Sequence, residues 1–135
     1  MADKEAVRRL IELAYAARAA GNVDGIMDAF HSEAKFELTG DAKLVEVAGA
    51  CCGHTDIRKT ITDLCGAFDF LNREYISFLV DGDRAAVHSR VTMRFVPKNL
   101  TFTTELVDLF KVQDGKVVEL VEFVDTALIK HLTSA

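Results

Sequence analysis

Apolar positions along this chain repeat with two different periods, first helical and then alternating. From Lys4 to Ala20, Val7, Leu10, Ile11, Ala14 and Ala17 recur at helical spacing, and Gly21-Asn22 ends the run, which predicts a first helix. "NVDGIMDAF" predicts a short second helix, capped by Asn22 or Asp24, with Val23, Ile26, Met27 and Phe30 on its buried side. "AKFEL" alternates as a strand, and "TGDAKLVEVAGACCG" reads as loop with room for a strand at 44 to 48. Thr55 then caps a helix whose apolar face carries Ile57, Ile61, Leu64, Cys65 and Phe68. After about residue 70 the period becomes two. Segments 71 to 80, 84 to 96, 100 to 112 and 116 to 125 are separated by "DGD", "PKN" and "QDG", turn sequences that predict an antiparallel meander.

Helices followed by a run of strands is the α+β pattern, with helices covering one face of a curved sheet. The far face is then the anomaly. Val107 and Leu109 fall opposite Leu106, Phe110 and Val112, so the sheet is apolar on both sides, and a second copy of the chain is the simplest cover.

Composition narrows the alternatives. The chain has 135 residues, 50% of them hydrophobic and 27% charged, with one proline, which fits a single ordered domain spanning 1–135. Its net charge of -5 and the lack of any basic cluster beyond Arg8-Arg9 and Arg58-Lys59 argue against nucleic acid or anionic lipid as partners. The charged N-terminus lacks a signal-peptide core, and no apolar run reaches membrane-spanning length. Cys51, Cys52 and Cys65, an odd number without CxxC spacing, fit reduced thiols, so the expected compartment is the cytoplasm. His31, His54, His88 and His131 are scattered without ligand spacing, and no glycine-rich phosphate loop is present, so neither metal nor cofactor is expected.

The candidate chemistry lies in "TTELVDLFKV", where alternation places Asp108 on the face that holds Leu106 and Phe110. A buried carboxylate there is costly without a partner, and burial favours its neutral form. Whether Glu122 joins it depends on one hairpin. A three-residue "QDG" loop pairs Asp108 with Leu120 and puts Glu122 on the same face, with a roughly 7 to 8 Å diagonal between the two at the backbone. A two-residue Asp114-Gly115 turn pairs Asp108 with Val121 and turns Glu122 away. The first is preferred, because it also sends Glu119 outward beside Lys111. In "AAVHSRVTMRF" the odd positions Ala85, Val87, Val91, Met93 and Phe95 are apolar, which puts His88 and Arg90 on the outside. Asp125 and Thr126 predict the cap of a short C-terminal helix.

The segments "AAGNVDGIMDAFHSEAKFE", "GHTDIRKTI" and "LVDLFKVQDGKVVELVEFVDTA", in this order of elements, resemble the nuclear transport factor 2-like superfamily. That is the cone-shaped fold of ketosteroid isomerases, SnoaL-like polyketide cyclases, limonene epoxide hydrolases and scytalone dehydratases. The resemblance implies a pocket inside the cone, but not which chemistry it performs. "LVDLF" is similar to the isomerases' "IDHF", whose aspartate is a protonated member of an oxyanion hole. "VEFVD" is similar to the hydrolases' "RDYFD", which would make Glu122 the acid. "SRVT" is similar to their "ERxD", in which the arginine lines the pocket, so Arg90 enters as a candidate on that ground. Thr92 stands where their aspartate would be. The isomerase base falls on Leu38, with Glu37 on the other face, and the isomerases' helix-one tyrosine falls on Ala14, one position before Tyr15.

The expected protein is therefore a homodimeric cone holding a small apolar molecule. Asp108 and Glu122 are its catalytic candidates. Leu10, Ile11, Tyr15, Phe30, Phe36, Ile61, Arg90, Val91, Met93, Leu106, Phe110 and Leu120 are its expected lining. The expected activity is of isomerase or cyclase type, with a non-catalytic binding module as the alternative.

Overall fold

The computed structural model describes residues 3–134. Helix α1 (Lys4–Ala19) starts at Asp3, whose side chain accepts from the Glu5 N–H, and it buries Val7 and Ile11. Helix α2 (Val23–Asp28) is capped by Asn22, which accepts from the Gly25 N–H, and it buries Ile26 and Met27. Strand β1 (Phe30–Leu38) is longer than the alternation of "AKFEL" predicts. The second strand, β2, forms at Gly49–Cys52, and not at 44 to 48. The reason is local: Asp41 accepts the Lys43 N–H on its side chain and the Leu44 and Val45 N–H groups on its carbonyl, which winds that stretch into turns. Helix α3 (His54–Ala67) begins before Thr55, so the expected threonine cap is not made; Gly53, at φ 84°, stands at the cap and its N–H bonds back to Ala34.

Four long strands follow: β3 (Phe68–Asp81), β4 (Arg84–Phe95), β5 (Leu100–Gln113) and β6 (Lys116–Phe123). Helix α4 (Thr126–Thr133) closes the chain, and Asp125 caps it as predicted by accepting from the Leu128 N–H. The sheet order is β2-β1-β6-β5-β4-β3, antiparallel throughout except where β1 runs parallel to β6. That parallel contact brings Phe36 beside Leu120 and Leu38 beside Glu122.

Alternation decides the two faces of the sheet. Ala85, Val87, Ser89, Val91, Met93 and Phe95 of β4 are buried under the helices, whereas His88 and Arg90 point outward. The outer face keeps a large apolar content: Leu79, Leu109 and Phe123 are 64%, 41% and 46% exposed. The register sets Leu79, Ala86, Leu109 and Val121 abreast across four strands.

The β5–β6 hairpin departs from both registers considered from the sequence. Its turn has two residues, Asp114 and Gly115, at φ 55° and 72°, the pair of left-handed conformations of a type I′ turn. Val112 accordingly faces Val117. One step further, Lys111 faces Glu119, so Val118 is an extra residue on β6, a β-bulge. Beyond it Phe110 faces Leu120 and Asp108 faces Glu122. The three-residue loop is therefore wrong, yet the bulge restores the parity that the two-residue turn would have lost. Glu119 stays outside beside Lys111, as expected.

Candidate functional site

The sheet's inner face and helices α1–α3 enclose a mainly apolar cavity of about 100 Å³. Tyr15 enters it from α1, Ile61 from α3, and Phe30 and Phe36 from β1. Met93, Leu106, Phe110 and Leu120 supply the sheet side. These placements follow from helical spacing on α1 and α3 and from alternation on the strands.

Four of the expected lining residues lie elsewhere. Arg90 is on the outer face between Glu74 and Glu105, at 3.6 and 3.8 Å, because it sits at an outward position of β4. Thr92 is on the same outer face, beside Thr103, so the segment similar to "ERxD" does not reach the cavity. Val91 points inward but is sealed in the packed core, as is Ile11 on α1. Leu10 borders a separate groove between α1 and the β5–β6 turn. Leu38, where the isomerases' base would fall, is a buried part of the wall, and Glu37 is exposed on the other side.

Asp108 is 1% exposed. The Tyr15 hydroxyl donates to its Oδ2 at 2.6 Å, a separation typical of a hydroxyl bonded to a carboxylate. Its Oδ1 is the one buried side-chain oxygen or nitrogen among the described residues without a conventional partner. Glu122, half-buried on the cavity wall, stands directly opposite on β6. Burial raises the Glu122 carboxyl well above its ordinary range, and the Asp108 charge and a hydrogen bond to Asp108 raise it further; Arg73 and Arg18 offset part of this. A protonated Glu122 supplies the donor that Asp108 Oδ1 lacks. Two carboxyl groups set this close disfavour a second negative charge. Directly opposite positions are closer than the expected diagonal, and the upward shift falls on Glu122. The Tyr15 phenol is likewise pushed up, first by burial and then by the Asp108 charge, so it remains a neutral donor.

Two arginines complete the polar part of the wall, and neither was expected. Arg18 donates through Nη2 to the carbonyls of Leu64 and Phe68, at 3.2 and 2.7 Å, and so ties the end of α1 to the end of α3. Arg73 donates through Nη1 to Ser89 Oγ at 2.9 Å and lies 3.7 Å over the Tyr15 ring. The Phe70 ring stands between them, 4.6 Å from the Arg18 guanidinium and 5.0 Å from that of Arg73. Arg18 had a sequence signal: Val7, Ile11, Ala14 and Arg18 share one helical face. Arg73 had none, because β3 shifts register between Phe70 and Asn72 and again between Tyr75 and Ser77, which breaks its alternation.

Comparison with known proteins agrees with this architecture. A family model described as a SnoaL-like domain matches residues 7–120. No curated protein sequence matches. Among solved structures, a candidate isomerase from Bacillus subtilis superposes with a TM-score of 0.86 at 12% identity, over 97% of this chain and 94% of its own. An NTF2-like protein from Burkholderia xenovorans gives 0.79 at 20% identity over 98% of both chains. An LEH-like epoxide hydrolase from M. tuberculosis gives 0.74 at 15% identity, over 92% of this chain and 86% of its own. At these identities the likeness is one of fold.

Proposed function

The chain belongs to the SnoaL-like domain family, and from that premise we propose that it is an acid–base catalyst of isomerase or cyclase type, acting on a small, largely apolar carbonyl compound. The observation that carries this reading is the pair of opposed carboxyl groups, Asp108 and Glu122, at the wall of an apolar cavity, where Asp108 Oδ1 is buried without a partner. Such a pair can hold its charge on either member. With the proton on Asp108, Glu122 is a carboxylate facing the cavity, able to take a proton from the carbon next to a carbonyl. The C–H electron pair then forms the enolate double bond, and Glu122 holds the proton. Returning that proton to a different carbon completes an isomerisation. Attack of the enolate carbon on an electrophilic carbon of the same molecule completes a cyclisation, with the proton passing to the oxygen that becomes negative. Asp108, almost wholly buried, acts as the internal partner that keeps Glu122 poised, and Tyr15 fixes Asp108 from behind. The chemistry calls for neither a metal nor a cofactor.

A second reading has an observation of its own. Asp108 has almost no exposed surface, and a polar group so placed can serve packing alone, in a non-catalytic ligand-binding or dimerisation module. Solvent deuterium separates the two. Aromatic and terpenoid ketones that raise the melting temperature would be incubated in D2O and followed by NMR for loss of the proton next to the carbonyl. Exchange that requires both Glu122 and Asp108 supports catalysis; ligands that bind without exchange leave a binding module.

We also propose that the protein is a homodimer joined through the outer sheet face, where Leu79, Leu109 and Phe123 are exposed. The charged cluster His88, Glu105, Arg90 and Glu74 lies on the same face and satisfies itself within one chain. We place the protein in the cytoplasm, because Cys51, Cys52 and Cys65 are free thiols. No helix among the described residues is long and apolar enough to cross a membrane.

A further inference from the structure

The carboxyl pair leaves one part of the cavity unexplained, the two arginines. Neither Arg18 nor Arg73 has a carboxylate within 4.0 Å among the described residues. Their hydrogen bonds go to neutral acceptors, the carbonyls of Leu64 and Phe68 and the hydroxyl of Ser89. A guanidinium has five N–H donors. The donors these bonds leave over are not sealed in the core, since Asp108 Oδ1 is the one buried unpartnered polar atom among the described residues. Both side chains line the cavity. Phe70 holds the two at one side of it, at the junction of α1 and β3.

The carboxyl groups of the cavity do not pair with these cations. Asp108 is bonded to Tyr15 and stands opposite Glu122, so the two carboxyl groups face each other and not the guanidiniums. The remaining acid of the wall, Asp125, is exposed and bonded to the Leu128 N–H at the start of α4. A guanidinium drawn out of water without an anion is costly, and its planar fork fits a carboxylate better than any neutral group.

We propose that the ligand supplies the missing charge: a small apolar body carrying a carboxylate, held by Arg73 and Arg18, with its carbonyl carbon acid directed toward Glu122. This deepens the acid–base reading by naming its substrate class as apolar oxo acids, and it rests on that reading only for the position of the carbonyl. The apolar body lies against Phe36, Ile61, Phe110 and Leu120. Arg73 sets the selectivity, because Arg18 is also committed to holding α1 against α3.

Two fluorescent probes of the same shape test this, 2-naphthoate and its methyl ester, titrated against the wild type and the variants Arg73→Gln, Arg73→Lys and Arg18→Gln. The carboxylate should bind at least about tenfold more tightly than the ester, as expected for a charged hydrogen-bonded pair. Arg73→Gln should remove most of that preference and Arg73→Lys should keep part of it. Equal binding of acid and ester overturns the inference while leaving the apolar pocket intact. A preference that survives Arg73→Gln unchanged overturns the role of Arg73, and with it the inference. If neither probe binds, the pocket reading falls as well. Should Arg18→Gln fail to fold, the wild type and the two Arg73 variants decide the question.

Discussion

Asp108 and Glu122 face each other across β5 and β6 although an unbulged ladder from the two-residue turn that joins those strands would set them on opposite faces; the bulge at Val118 takes up the odd residue. A two-residue turn and a one-residue bulge together restore the parity that brings both carboxyl groups inward. Deleting Val118 takes out the extra residue and leaves a regular ladder in which Lys111 still faces Glu119, Phe110 still faces Leu120 and Asp108 still faces Glu122. The deletion variant should therefore keep the carboxyl pair and any proton exchange that depends on it; a folded variant that has lost this exchange would show that the pairing does not follow from the residue count.

The raised Glu122 carboxyl predicts a pH dependence with a definite sign. Glu122 is raised above its ordinary value in the folded protein, so the fold holds a proton that the unfolded chain releases. Stability from this group is complete at acid pH and declines as pH rises from the ordinary glutamate value toward the raised one. The groups facing it are Asp108, Tyr15, Arg18 and Arg73. Glu122→Gln keeps the neutral form at every pH. Its melting temperature relative to the wild type should climb steadily in a series from about pH 4 to about pH 9. A difference that stays flat across the series would contradict the raised Glu122 carboxyl.

Tyr15→Phe removes the one hydroxyl donor on Asp108, and loss of a bond to a buried carboxylate should cost about 1.5–3 kcal/mol in chemical denaturation. Tyr75→Phe provides the control. Tyr75 is partly exposed and its hydroxyl makes no side-chain hydrogen bond among the described residues, so its cost should stay within about 0.5 kcal/mol. Equal effects would mean that Tyr15 matters only as a packed ring.

Should exchange at carbon be found, Asp108→Asn should lower its rate by a factor of about 10² to 10⁴, the usual scale for a lost acid–base group. The melting temperature taken alongside tells a chemical loss from a folding loss.

For assembly, sedimentation should give a mass near twice 14.9 kDa for the wild type. Replacing both Leu109 and Phe123 by lysine should halve it without lowering the β-sheet signal in circular dichroism. A wild-type monomer would remove the dimer proposal.

Much of this arrangement is legible in the sequence, and the failures have identifiable causes. The stripe of Val7 and Ile11 and the alternation of β4 are periodic over many residues, so helix α1 and the two faces of the sheet are predicted correctly. Asp108 stands out for the same reason, as a carboxylate at an inward position. Glu122 is assigned to the right face through the wrong turn, because a β-bulge such as Val118 leaves no mark in hydrophobic pattern. Arg73 stays hidden behind the two register shifts of β3. Arg90 is drawn toward the pocket by a four-residue likeness that alternation contradicts, and alternation, which reflects where side chains must point, is the one the structure follows.

The placement of the tyrosines makes the site observable without a label. The chain has no tryptophan and two tyrosines, and these are neighbours: the Tyr15 and Tyr75 rings lie 6.1 Å apart, with Arg73 over one of them. Intrinsic emission from the whole molecule therefore originates beside the cavity, from one phenol bonded to Asp108 and another within energy-transfer range. Anything that enters the cavity, moves Arg73 or disturbs the Tyr15–Asp108 bond changes the light from a single corner of the fold.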